Sequence, residues 1–327
     1  MFAVWLIFIM FDIVTVGHAT IDFFLELYPK TADVIWSKKK KDSYVCLDFA
    51  DKTPVKDIGW SLGGNALNSG IGLSRLGVNA ALLTDVGQDE WGQLIRQKIS
   101  SEKINLDYFS MNPGEKTDLS IILTLNGERT ILSYHHPRKY HFPDNFPECR
   151  WLYLTSLGEK FLLFHRQLLN LLNQREIKLA FNPGTYELLA GYKENQEIIK
   201  RCELLFVNRE EAGELVGQKP LEVNNQLLEQ LRNLGPKVVI ITDGEKGSYA
   251  YDGKHFYHQP ILPVNKIEMT GAGDSFSAAF LAARISGGDI YQALKWGTVN
   301  SASVIQQVGS TKGLLTRREM EERVDKL

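Results

Sequence analysis

Short apolar runs alternate along this chain with longer stretches in which apolar residues return at helical spacing. The runs Ile13–Val16, Ala80–Thr84, Trp151–Thr155, Lys178–Phe181, Leu204–Val207 and Val238–Thr242 are apolar almost throughout. A strand with one solvated face would alternate in polarity, so these runs predict strands of a largely parallel sheet covered on both faces. The covering helices are expected at Asn65–Arg75, Gly92–Glu102, Lys160–Gln174, Glu187–Lys200, Glu210–Val216, Asn225–Leu234 and Asp274–Ile285. Strand and helix in alternation make βαβ units, and the fold class is α/β.

Two hairpins carry local turn signals. Asn126-Gly127 and Asp252-Gly253 each interrupt a strand-like segment, and both pairs accept the positive φ of a tight turn. Phe23–Trp60, with the lysine run Lys38–Lys41 and strand-like Tyr44–Phe49, breaks the α/β alternation, as does the region between Asp107 and His136. Such strand-rich insertions are expected to pair into a small β-sheet lid over a site. The lysine run reads as a solvated turn. No repeat or low-complexity linker divides the chain, so residues 12–327 are expected to form a single domain with lid segments at about 23–60 and 108–136. Met1–Phe11 has no charge, no basic flank and fewer than the ~20 residues of a membrane span. It reads as an apolar extension outside the fold, with an extended first strand or membrane association as alternatives.

Charge and cysteine content narrow the function classes. With 37 basic and 39 acidic residues the net charge is −2, which argues against a general basic surface for nucleic acid. Cys46, Cys149 and Cys202 are far apart and form no C-x-x-C pair, which fits a reducing cytoplasmic setting better than a disulfide scaffold or zinc site. His135-His136 and His255/His258 lie in strand-like segments and read as surface or hydrogen-bonded histidines, so no histidine metal site is expected.

The most informative stretch is Thr270-Gly-Ala-Gly-Asp-Ser-Phe276, where a glycine-rich loop turns into a helix. Gly271, Ala272 and Gly273 lack bulk, so their N–H groups can approach an anion closely, and a helix N-terminus favours phosphate. Asp274 beside them has the chemistry to accept a proton from an attacking hydroxyl. Alone, the same residues equally describe an Asp that caps a helix after a glycine turn.

The loop resembles the signature of the ribokinase-like, phosphofructokinase B-type carbohydrate kinases, and the resemblance runs from Asp12 to about Leu315 with further motifs in family order. It implies a ribokinase-like three-layer α/β/α core with a β-sheet lid, Asp274 as general base and Gly271, Ala272 and Gly273 as anion hole. Gly63-Gly-Asn-Ala-Leu-Asn68 resembles the segment that binds substrate hydroxyls, implicating Gly63, Gly64, Asn65 and Asn68. Asp22 resembles the acidic residue that pairs with sugar hydroxyls, and Thr20 is its inward neighbour at strand period. Thr242, Gly244 and Gly247 match the Thr-x-Gly-x-x-Gly nucleotide loop, and Asn208-Arg-Glu-Glu211 matches an Asn-x-x-Glu segment associated with magnesium, which Glu211 would hold through water. The helix near Asn300 resembles the one flanking the adenine pocket, which implies a nucleotide-binding role for Asn300. Gly87-Gln-Asp-Glu-Trp-Gly92 matches a family turn whose role here reads as structural.

The resemblance implies an ATP- and Mg²⁺-dependent kinase that phosphorylates a hydroxyl of a small sugar. The alternatives are a nucleoside kinase on the same fold and a catalytically silent nucleotide- or sugar-binding regulator. In a nucleoside kinase, Phe23, Tyr44, Phe49 and Tyr134 are the candidates to stack a base. Glu268 stands where an Asp of the monovalent-cation site is usual, which argues against K⁺ activation. Thr20 and Asn65 replace the Asn and Lys of ribose-specific members. The resemblance also implies a homodimer through the lid, and no membrane or nucleic-acid partner.

Overall fold

The computed structural model describes residues 10–36, 43–218 and 222–326. Its central sheet draws on β1 (Phe11–Val16), β6 (Ala80–Gly87), β7 (Phe109–Asn112), β10 (Cys149–Leu154), β11 (Lys178–Phe181), β12 (Cys202–Asn208), β13 (Val238–Thr242), β14 (Ser248–Tyr251) and β15 (Phe256–Gln259). The order across the nine-stranded sheet is β15-β14-β13-β12-β11-β10-β1-β6-β7. Strands β7 to β13 in that order pair in parallel, and β13, β14 and β15 pair antiparallel.

Successive side chains of a strand point to opposite faces, and here both faces are apolar. Ile13, Leu82, Tyr153, Phe206 and Ile240 join one core, packed under α1 (Asn65–Arg75), α2 (Glu90–Ile99), α7 (Ala272–Ile285), α8 (Ile290–Val304) and α9 (Arg317–Val324). Val14, Leu83, Leu152, Phe181 and Ile241 join the other, under α3 (Phe161–Gln174), α4 (Thr185–Arg201), α5 (Arg209–Val216) and α6 (Asn225–Asn233). The result is the expected α/β architecture. Helix α8 escapes the periodicity reading because it is buried on nearly every side, with Gly297, Thr298, Asn300 and Ser303 among its buried residues. A helix without a polar face gives little amphipathic signal.

A second sheet of four strands, β2 (Thr20–Leu27), β5 (Val55–Gly63), β8 (Asp118–Leu125) and β9 (Glu128–Tyr134), has the order β5-β2-β8-β9. A separate ribbon pairs β3 (Asp33–Trp36) with β4 (Ser43–Cys46). The turn joining β8 and β9 uses Asn126 and Gly127, both with positive φ, as the sequence predicts.

Two expected boundaries move. The lid sheet runs to Thr20 and Gly63, whereas Phe109–Asn112 leaves the expected lid to become the edge of the central sheet, with Phe109 buried in the core. Phe11, expected outside the fold, opens β1, is 4% exposed and donates its N–H to Glu148 O at 2.8 Å. Residues 1–9 and Lys38–Lys41 lie outside the described residues. Among the described residues, no helix is long and apolar enough to cross a membrane.

Candidate active site

The chain passes from β1 outward to β6 and β7, then crosses to β10 on the other side of β1. A crevice opens outside the carboxyl ends of strands where a parallel sheet reverses its winding in this way. Two cavities occupy this end of the molecule, of about 410 Å³ and 340 Å³. The loop before α7 separates them. Ala272 and Gly273 line the larger one, Gly271 and Asp274 the smaller, and Arg129 of β9 lines both.

Gly271 caps the start of α7, with a φ of 81° in the left-handed region and a missing β-carbon that leaves room for Ser310. Of the three loop amides, only Ala272 donates within the described residues, to Met269 O at 3.2 Å. The donors of Gly271 and Gly273 have no such partner. A β-carbon on Gly273 would stand in open space, on a residue that lines the larger cavity.

Asp274 is 8% exposed and lies in the first turn of α7. Its Oδ1 accepts from Asn65 Nδ2 at 2.9 Å and its Oδ2 from Asn68 Nδ2 at 2.8 Å. The asparagines are held in turn: Ser156 Oγ donates to Asn65 Oδ1 at 2.9 Å, and Ser310 Oγ lies 2.9 Å from Asn68 Oδ1. Burial pushes the Asp274 carboxyl up from its ordinary value, and the two amides pull against it. Asn65 and Asn68, expected to bind substrate, thus orient Asp274 while also lining the smaller cavity.

Asp22 of β2 faces the same cavity and accepts from Thr20 Oγ1 at 3.0 Å. Burial pushes its carboxyl up to about 6, with the charge of Asp274 adding to the rise. Gly63 is opposite Thr20 in the lid register, and a β-carbon there would collide with the Asp22 carboxylate. Gly64, at φ 93°, would collide with the His18 carbonyl. Gly64 lines the cavity and Gly63 backs Asp22.

The larger cavity is a groove between the ends of β12 and β13 and the helices α7 and α8. Thr242, Gly244, Gly247 and Asn208 all line it. Gly244 and Gly247 have φ of 49° and 90° around the single 3₁₀ turn Gly244–Lys246. Asn208 Oδ1 caps α5 by accepting from Glu211 N at 2.8 Å, and Glu211 Oε2 accepts from Asn208 N at 2.8 Å. Glu211 lines the smaller cavity, and burial pushes its carboxyl up to about 7.

Asn300 is placed elsewhere. Its side chain is fully buried, donating to Ser275 O at 2.8 Å and accepting from Leu315 N at 3.1 Å. Those bonds pin α8 to α7 and to the segment before α9, and Thr298, Ser301, Ala302 and Ile305 present α8 to the groove instead. The aromatic candidates for base stacking are also absent from the smaller cavity's wall: Phe49 is fully exposed, Tyr44 and Tyr134 are exposed, and Phe23 packs on Trp91. In the Gly87–Gly92 turn, Asp89 accepts from Gly92 N and Thr117 N, which supports the structural reading.

Sequence reasoning missed Arg129, Ser156, His18, His135 and Tyr186. Arg129 Nη1 lies 3.1 Å from both Glu268 Oε1 and Thr270 Oγ1, tying the lid hairpin to the glycine loop. His18 and His135 direct Nδ1 at Asp118 Oδ2, at 2.7 and 3.2 Å, and Arg138 Nη2 donates to Asp118 Oδ1 at 2.7 Å. Burial alone would raise the Asp118 pKa, but these donors and the Arg138 charge hold it well below the ordinary carboxylate range. The two histidines and Asp118 offer ligand atoms within 4.8 Å of one another, and Arg138 supplies the positive charge facing Asp118.

The chain as a whole has known relatives. The profile of the pfkB family carbohydrate kinases matches residues 11–317. The chain belongs to this family. It is 25% identical over 319 residues to the cytidine kinase of Thermococcus kodakarensis, covering 92% of this chain and 98% of that protein. It is 25% identical over 269 residues to the ribokinase of Bacillus subtilis, covering 80% and 86%. Among solved structures, the nucleoside kinase of Methanocaldococcus jannaschii shares 24% identity with a TM-score of 0.78, covering 97% of this chain and 99% of that one. The Arabidopsis thaliana ribokinase complexed with ribose and ATP shares 18% identity with a TM-score of 0.78, covering 96% and 99%. This pfkB family member is therefore an ATP-dependent phosphotransferase of the sugar or nucleoside kinase kind, with the ribokinase fold.

Proposed function

We propose that the chain transfers the γ-phosphoryl group of ATP to a hydroxyl of a sugar ring, free or within a larger acceptor such as a nucleoside. The observation that carries this reading is the position of Asp274, a buried carboxylate oriented by Asn65 and Asn68 on the loop between the two cavities. The acceptor hydroxyl approaches Asp274, and Asp274 takes its proton as the oxygen attacks phosphorus. An elevated pKa suits this role, since a base works best when its pKa nears the working pH. Asp22, next to Thr20, accepts from the sugar's other hydroxyls and holds the ring. The Gly271 and Gly273 amides, with the α7 dipole, face the charge that develops on the transferring group. Arg129 adds a positive charge from the lid, and closing the lid excludes water.

The groove suits ATP: Gly244 and Gly273 leave open space where a β-carbon would intrude, and Thr242 and Asn208 offer polar contacts beside it. Mg²⁺ fits a cavity wall that carries Glu211 beside Asp274, because the ion keeps most of its waters and needs few protein carboxylates. Glu211 would hold it through water, and the ion when bound would neutralise phosphate charge. Arg129 faces Glu268 Oε1 at 3.1 Å, which argues against K⁺ at that oxygen. The lid sheet leaves Trp60, Ile121 and Leu132 exposed in neighbouring register, which supports a homodimer through that face.

An ADP-release screen over pentoses, hexoses, sugar phosphates and nucleosides tests the reading. Acceptor-dependent ADP formation supports it. Tight ATP binding without turnover on any acceptor would favour the non-catalytic regulator.

A further inference from the structure

His18 and His135 stand side by side in the wall of the acceptor cavity, ring centres 4.4 Å apart, and the transfer chemistry uses neither. Both Nδ1 atoms meet the same oxygen of Asp118. The other oxygen accepts from Arg138 Nη2 and from His136 N at 2.9 Å. A carboxylate facing a buried guanidinium is ionised and can only accept. In the neutral imidazoles each Nδ1 therefore carries the hydrogen, and the polar atom left for a ligand, Nε2, is an acceptor with no hydrogen. Burial of His18 lowers its pKa despite Asp118, which keeps that ring neutral. This cavity wall thus offers a pair of acceptors whose tautomers are fixed from behind.

The surroundings say what kind of group they meet. Tyr186 packs edge-to-face on His135, ring centres 6.1 Å apart, and Ile131 and Leu188 line the same cavity. In the lid register Asp118 faces Thr20 and Ser120 faces Asp22. The anchor of the histidine pair is therefore one two-residue strand repeat from the level of Asp22, roughly 7 Å. Asp22 and Asp274 face the same cavity as the histidine pair, whose anchor stands one strand repeat away, room for a second ring attached to the one they engage.

We propose that the acceptor carries, beyond its sugar, a flat heteroaromatic ring with an exocyclic amino group, and that His18 and His135 select it by accepting that group's N–H. This rests on the reading of the smaller cavity as the acceptor site. It names the acceptor as an amino-bearing nucleoside, with Tyr186 flanking the base.

The test is ADP formation by the full chain with Mg²⁺ and ATP, comparing cytidine with uridine, adenosine with inosine, and each with ribose. In at least one pair the amino-bearing member has a kcat/KM about tenfold or more above its oxo partner, because a carbonyl there sets acceptor against acceptor (tenfold is ~1.4 kcal/mol). In that pair His135→Phe, which keeps a flat ring but removes the acceptor, brings the ratio toward one. Equal use of both members in both pairs overturns the proposal while leaving the kinase reading intact, as does ribose serving as well as any nucleoside. Absence of ADP formation with every acceptor class, against intact ATP binding, removes the acceptor-site reading beneath it.

Discussion

The two cavities are built in different ways. The larger groove, which we assign to the nucleotide, is set mainly on the central sheet and its helix ends: Thr242 closes β13, Asn208 closes β12 and Gly273 lies in the first turn of α7, with Glu245, Lys266 and Phe276 beside them. The acceptor cavity is made of side chains from segments far apart in sequence. Asp22 and Ser120 come from the lid, Asn65 and Asn68 from α1, Ser156 from the loop after β10, and Tyr186 from α4. A phosphate is held by donors that any glycine loop supplies, so the groove needs little chemical variety. An acceptor is told from its rivals by individual hydrogen bonds, so its cavity must carry specific side chains. The loop 270–274, with Arg129 above it, is where the two designs meet.

Substitutions can break that division of labour. Asp274→Asn has the largest expected effect, a fall in kcat of ~10²–10⁴, the span of a lost general base. Arg129→Ala comes next, with kcat lowered by about 10² as for one lost charge-stabilising donor. Because Arg129 lines both cavities, steady-state kinetics are expected to show the loss in kcat. A change confined to the acceptor's KM would make Arg129 a lid contact only. Asp22→Asn is expected to raise the acceptor's KM by roughly 10-fold, from one weakened charged hydrogen bond, with little change for ATP.

The pH profile sharpens the same contrast. Burial pushes the Asp22 carboxyl up to about 6, and protonation there weakens it as an acceptor, so in the proposed site acceptor kcat/KM falls as pH drops through about 6. An ordinary carboxylate would hold that limb near ~4. The smallest kinetic effect is expected at Asn300→Ala, which strips partners from Ser275 O and Leu315 N. Thermal or denaturant unfolding should register a loss of about 1–3 kcal/mol, with the KM for ATP unchanged.

The same division explains what the sequence revealed. Buried parallel strands, the Asn126-Gly127 turn and the glycine loop are local signals, and the structure puts Asp274 beside Asn65 and Asn68 as the motif order suggests. The helix that carries Asn300 does not reveal in sequence which face it presents, and the side chain turns into the core. Arg129 is a lone charge after a hairpin turn, and nothing local marks it as reaching Glu268, 139 residues away in sequence. The β8–β9 hairpin sets His135 beside Asp118, but His18 joins them only through the parallel pairing of β2 with β8, a register no single segment encodes. Backbone sites are legible from short motifs, and side-chain sites wait for the topology.

The central claim is that Asp274 acts on the acceptor's proton and not on nucleotide binding. Turnover and the ATP dissociation constant measured side by side on the wild type and Asp274→Asn test it most directly. The account predicts acceptor-dependent ADP formation that collapses in the variant while ATP binds with nearly unchanged affinity. Near-wild-type turnover in the variant, or loss of ATP binding as large as the loss of turnover, would contradict it.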